Sequence, residues 1–328
     1  MAASARLLRV SALAALAAAC SSTLRPIIGV LTLPNDLPPS LSQYTSYFPS
    51  SYAQWLASGG ARVAAVPYDA PAAQTQQLLS HLNGAVFTGG AASFFNGDGT
   101  LTQYAATAKL LLDESLAAAA RGEVWPLWGT CLGHELALVL AAGPNASVLS
   151  GGFDSENLAL ALAPTPKAAT SRLWGGAPPE ILAWLTDPSE NNTINLHTQG
   201  VTPENFAGSS LAATFDVLST NEDRAGRTFV SSTEAKGAPI YTVQFHPEKP
   251  AFEYYPAYSI PHTDHAIHAN AWCARFFVNE SRRNSRGFAS VDDENAALVY
   301  NTAPIFTAAD PNATLQVWEQ IYAFWGGF

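Results

Sequence analysis

The chain has 328 residues, 48% of them hydrophobic and 13% charged, with a formal net charge of -10 at pH 7. That is enough apolar chain for a substantial core, and the acidic balance excludes a nucleic-acid partner because nothing neutralises a run of phosphates. Three cysteines, Cys20, Cys131 and Cys273, do not make a disulfide framework; no Cys/His spacing fits a zinc site, and neither metal nor cofactor is expected.

In chain order, residues 1–22 read as a secretory signal peptide. Arg6 and Arg9 supply a positive start, and Val10 to Ala19 is an apolar run too short to span a bilayer. Small residues suit cleavage near Cys20 to Thr23; acylation of Cys20 is the alternative reading. No later stretch has the ~20 uninterrupted apolar residues of a membrane span. No linker divides residues 23–328, so they are expected to form a single domain. Four sequons, at Asn145, Asn191, Asn279 and Asn312, favour a secretory glycoprotein.

Arg25 to Leu33 reads as the first buried strand, Tyr47 to Ser58 as a helix, Arg62 to Val66 as a strand and Ala72 to Leu82 as a helix. Ala85 to Phe87 is a third strand ending in Thr88-Gly89-Gly90; Leu101 to Arg121 is a long helix, and Val124 to Trp128 a further strand. In the second half, strands are expected at Leu158–Leu162, Thr193–His197, Ala213–Ser219, Thr228–Ser232 and Ile240–Phe245. Helices are expected at Pro179–Leu185 and Ala266–Arg283, with a late apolar strand at Ala297–Tyr300. The alternation predicts an α/β fold: a mostly parallel central sheet flanked by helices on both faces, with additional antiparallel strands in the second half. Ligands of such sheets sit outside the carboxyl ends of the strands.

Two of those ends carry chemistry. Gly129-Thr130-Cys131-Leu132-Gly133 puts a cysteine on a tight strand-to-helix turn, as in a nucleophile elbow. The helix N-terminus is expected to lower the thiol pKa and to favour an oxyanion; a buried, inert cysteine is the other reading. His246 follows a strong strand directly, and Glu248 is placed to accept its other ring N–H, giving nucleophile, base and orienter. Oxyanion donors would be the N–H of Leu132 and one from Gly89 or Gly90. His262, His265 and His268 read as a polar helix start rather than a metal shell, and Cys273 as core.

Taken together, Thr88-Gly89-Gly90, Gly129-Thr130-Cys131-Leu132-Gly133 and His246-Pro247-Glu248 resemble the class I glutamine amidotransferase-like (flavodoxin-like) fold. Within it, the chain is most similar to the gamma-glutamyl hydrolases of peptidase family C26. The stretches that carry the likeness are Arg25–Val30, Gly59–Val63, Pro126–Gly133, Tyr241–Lys249, Phe276–Arg282, Ala297–Tyr300 and Pro304–Phe306. Phe245 stands where the family usually has Trp, and Pro261-His262 where it often has Ser-His. The resemblance implies hydrolysis of gamma-linked glutamates from folylpoly-gamma-glutamates, in a lysosome, a vacuole or outside the cell. It further implies thioester formation on Cys131, proton transfer by His246 and orientation by Glu248. Glu135, His197 and Tyr47 would contact substrate, and a homodimer is the family's suggestion. A histidine at 197 would often be charged in an acidic compartment and would bind substrate carboxylates. The competing functions are a glutaminase subunit and a non-catalytic secreted glycoprotein on the same scaffold.

Overall fold

The computed structural model describes residues 22–143, 147–308 and 318–326. The signal segment and the sequons at Asn145 and Asn312 lie outside these residues.

Short runs of Ile, Val, Ala and Leu without polar alternation suit strands buried on both faces, and they form the central sheet. Its strands are β1 (Ile27–Leu31), β2 (Arg62–Val66), β3 (Ala85–Phe87), β4 (Leu127–Thr130), β5 (Ala163–Pro164), β6 (Phe215–Glu222), β7 (Thr228–Ala235) and β8 (Ile240–Val243). The spatial order is β2-β1-β3-β4-β8-β7-β6-β5. The run from β2 to β8 is parallel, with Ile27 opposite Arg62, Gly29 opposite Ala85, and Leu127 opposite both Ala85 and Ile240. From β8 outward the pairing turns antiparallel.

Successive side chains of a strand point to opposite faces, and two separate cores result. Ile27, Leu31, Ala85, Phe87, Leu127 and Ile240 pack on one side. There they meet apolar residues of α2 (Ala72–Leu79), α3 (Gln103–Ala120) and α4 (Leu132–Ala142). Ile28, Val30, Val86, Trp128, Tyr241 and Val243 pack on the other side. That face is covered by α1 (Ser50–Ser58), α5 (Pro179–Thr186) and α6 (Asp264–Ser281). Helices therefore flank both faces, as expected. A second, antiparallel sheet joins Ser46–Pro49 to Gln320–Phe324, and a long antiparallel pair joins Leu149–Leu160 to Thr193–Val201.

Several expectations change. Tyr47 lies in a strand and not in a helix, because Pro49 forces the preceding residue into extended backbone and the helix starts only at Ser50. Ala297–Tyr300 is no strand: Val299–Asn301 is a short 3-10 turn, with Leu298 making one antiparallel bridge to Ala64. The strand before the elbow runs Leu127–Thr130, so it reaches the cysteine directly. The strand expected at Leu158–Leu162 begins nine residues earlier, at Leu149, where glycines and polar residues hide the pattern.

Candidate active site

Cys131 connects β4 to α4 with φ 51° and ψ -109°, a strained conformation for a residue with a side chain. Two glycines make the turn possible. A Cβ on Gly129 would stand 2.5 Å from the Gly133 carbonyl oxygen, and one on Gly133 would collide with the Phe87 carbonyl. The turn is tied to the sheet, since Cys131 N–H donates to the Val243 carbonyl at 2.9 Å. The thiol is buried and directed at the Leu196 carbonyl at 3.8 Å.

The neighbouring parallel strand β8 delivers the base. His246 N–H donates to the Ile194 carbonyl at 3.0 Å, and its Nδ1 lies 2.7 Å from Glu248 Oε1, both side chains being buried. Nδ1–H donates to the carboxylate, which leaves Nε2 as the acceptor. Gly89 sits where the two chains of the site converge. A Cβ there would meet His246 Cε1 at 2.5 Å and Cys131 Cβ at 3.3 Å, so ring and sulfur-bearing carbon border the same small space.

The electrostatics correct one expectation. Burial, with the Glu135 and Glu248 charges, pushes the Cys131 thiol well above its ordinary value, against the pull of the Leu132 N–H. The helix N-terminus therefore does not yield a resting thiolate. Glu248 is different: burial works against its charge, but His246 and Lys249 outweigh it and hold the carboxyl below its usual range.

Of the two glycine donors considered, Gly89 is already engaged, its N–H donating to Tyr52 Oη at 2.7 Å. Gly90 and Leu132 both line the cleft, which leaves their amides as the candidate donors. Tyr52, on α1, also faces Glu248, and burial together with that charge keeps its hydroxyl protonated. Sequence reasoning missed this role, because an aromatic at helical spacing reads as core.

The cleft has two lobes that meet at Cys131. One, of about 290 Å³, is lined by Asp36, Tyr47, Gly90, His246, Tyr258 and Trp318. The other, of about 320 Å³, is lined by Leu132, Glu135, Glu156, His197, Thr198 and Gln199. Cys131, His246, Glu135, His197, Tyr47 and Gly90 are thus brought together, with Glu248 behind the histidine. Tyr47 donates to Asp36 Oδ1 at 2.7 Å. Gln244 Nε2 donates to Glu135 Oε1 at 3.0 Å, yet burial still pushes the Glu135 carboxyl up to about 7. His197 departs from the expected cation. Burial pushes it down to about 4, against the Gln199 carbonyl that its Nδ1–H reaches at 2.6 Å. Its Nε2 is buried without a protein partner and acts as an acceptor.

The remaining candidates lie elsewhere. Cys273 is core. His262 stacks on Tyr254, and His265 on Trp184 while bonding Glu190. Among the described residues, no group of three His, Cys, Asp or Glu side chains converges as a metal shell. No described helix is long and apolar enough to cross a membrane. Asn191 accepts from Ala161 N–H, and Asn279 is exposed on α6.

An elbow cysteine bordering the same cleft as a buried His–Glu dyad, at the carboxyl ends of a parallel sheet, defines an α/β cysteine hydrolase. The Peptidase C26 family matches residues 26–248. The chain is 34% identical to "Gamma-glutamyl hydrolase" of Mus musculus over 92% of this chain and 90% of that protein. It is 33% identical to "Gamma-glutamyl hydrolase B" of Dictyostelium discoideum, over 91% and 83%, and 33% identical to "Gamma-glutamyl hydrolase 1" of Arabidopsis thaliana, over 86% and 79%. The chain belongs to the peptidase C26 family.

Proposed function

We propose that the protein hydrolyses gamma-glutamyl amide bonds of folylpoly-gamma-glutamates through a thioester on Cys131. The observation that carries this reading is the meeting of Cys131 with the His246–Glu248 pair in a two-lobed cleft, in a chain of this family. The resting thiol is neutral, so His246 Nε2 takes its proton as sulfur attacks the gamma-carbonyl. Leu132 and Gly90 N–H groups receive the negative carbonyl oxygen. The C–N bond then breaks, and His246 passes its proton to the leaving amine. Water next gives a proton to His246 and attacks the thioester. The C–S bond breaks and the proton returns to sulfur.

His246 belongs to the Tyr47–Trp318 lobe, so the leaving amine belongs there too. The gamma-glutamyl acyl group then occupies the lobe of Glu135 and His197. His197 Nε2 accepts an amide N–H of the acyl residue. Glu135, once protonated, donates to its alpha-carboxylate, which fits a site that works in acid. The N-terminal segment and the exposed Asn279 support passage through a secretory route to a lysosome, a vacuole or the exterior; loss of an endoglycosidase-sensitive mass shift in Asn279→Gln would test the glycan.

The test is incubation with pteroylpentaglutamate at acidic pH, with and without iodoacetamide, reading chain lengths by chromatography. Shortened products that iodoacetamide abolishes are expected. Hydrolysis of glutamine with the polyglutamate left intact would favour a glutaminase, and no hydrolysis of either would favour a binding protein.

A further inference from the structure

The residue after the catalytic carboxylate is a lysine, and it is fully buried. Its Nζ lies 3.9 Å from the centroid of the Trp318 ring, and its charge acts on both Glu248 and Glu253, which are themselves buried. Trp318 comes from the far end of the chain, walls the leaving-group lobe and lies 6.4 Å from the His246 ring. The segment around it is fixed to the same turn: Glu319 N–H donates to Glu253 Oε2 at 2.6 Å, and Tyr254 N–H to Glu319 Oε1 at 3.1 Å. A buried ammonium is costly, and an apolar side chain of the same volume packs at lower cost. Packing alone gives no reason for a lysine here.

We propose that Lys249 is a positioning residue for the catalytic pair: its ammonium, seated on the Trp318 ring, balances the buried charge of Glu253 near Glu248 and fastens the C-terminal wall of the cleft to the catalytic turn. The charged and titratable groups facing Glu248 are His246 and Lys249 on its own turn, Tyr52 from α1, Cys131 from the elbow and Glu253 from the next turn. Lys249 is therefore the one group of this set, besides the histidine, that offers positive charge. Without it, Glu248 and Glu253 repel each other in a buried site, and every group nearby holds its proton more tightly. Glu248 then loses its grip on the His246 ring as the pH falls.

The inference rests on Cys131, His246 and Glu248 being the reacting set, and it can be tested without turnover. The rate of Cys131 alkylation by iodoacetamide, located by peptide mass spectrometry, is followed against pH. In Lys249→Met the midpoint should move up by about one pH unit. In Glu253→Gln, which removes the competing carboxylate, it should move down. The charge-balanced Lys249→Met/Glu253→Gln should return close to wild type, and it keeps the test alive if the single lysine variant does not fold. A purely structural lysine would not move the profile in opposite directions. Coincident profiles for all variants, or shifts of the same sign, overturn the proposal. Failure of the wild type to cleave pteroylpentaglutamate would instead count against the substrate reading.

Discussion

Glu135 shows how far one side chain's environment sets the behaviour of the site. A carboxyl pushed to about 7 by burial is neutral in acid and charged above neutrality. A polycarboxylate substrate should therefore bind more tightly as the pH falls, and Asp36, also raised by burial, acts in the same sense. Glu135→Gln should flatten the pH dependence of KM; a KM that still falls severalfold with acid would remove Glu135 from that role. The same shift affects stability. A carboxyl whose folded value lies above its unfolded one binds the proton more tightly when folded, so it costs stability as the pH rises from about 4.5 to about 7. Glu135→Gln should raise stability by about 2 kcal/mol above neutrality and change little near pH ~4, read from denaturant melts. His197→Asn should raise KM, but without altering its pH dependence, because the histidine is already neutral; a changed pH profile would restore the charged histidine. Cys131, His246 and Glu248 were legible because each follows a strand end within a short motif. Tyr52, Lys249 and Trp318 were not, because a buried tyrosine, tryptophan or lysine stem has no local pattern that separates contact with the site from packing.

At the scale of the element, the elbow stores strain. Glycine adopts a positive φ freely, so Cys131→Gly should be more stable than Cys131→Ala by about 1 kcal/mol, both being inactive. Equal melting temperatures would mean that the turn is not strained. Gly133→Ala should be far more damaging, because a Cβ there runs into the Phe87 carbonyl of β3 and the start of α4 cannot back away. The strand-turn-helix order was readable from the glycines flanking the cysteine. The split of Tyr47–Ser58 into strand and helix was not, since the hydrophobic spacing suited a helix and only Pro49 argued for an extended Phe48.

Across the whole molecule, the parallel half of the sheet was legible from its continuous apolar strands and short connections. The antiparallel half was less so: Leu149–Leu160 pairs with Thr193–Val201 through register shifts, and its exposed residues mask any alternation. Least visible was the return of the C-terminal strand Gln320–Phe324 to Ser46–Pro49, a pairing set by tertiary packing. That return places Trp318 over the cleft. Trp318→Ala should cost about 3 kcal/mol of stability and raise KM, whereas a variant of unchanged KM would separate the wall from substrate binding.

The most direct measurement is intact-protein and peptide mass spectrometry of the enzyme quenched in acid during turnover of pteroylpentaglutamate. A covalent acyl adduct on the Cys131 peptide, released by hydroxylamine and missing from Cys131→Ala, is the predicted result. Sustained turnover by Cys131→Ala, or an adduct located on another residue, would contradict it.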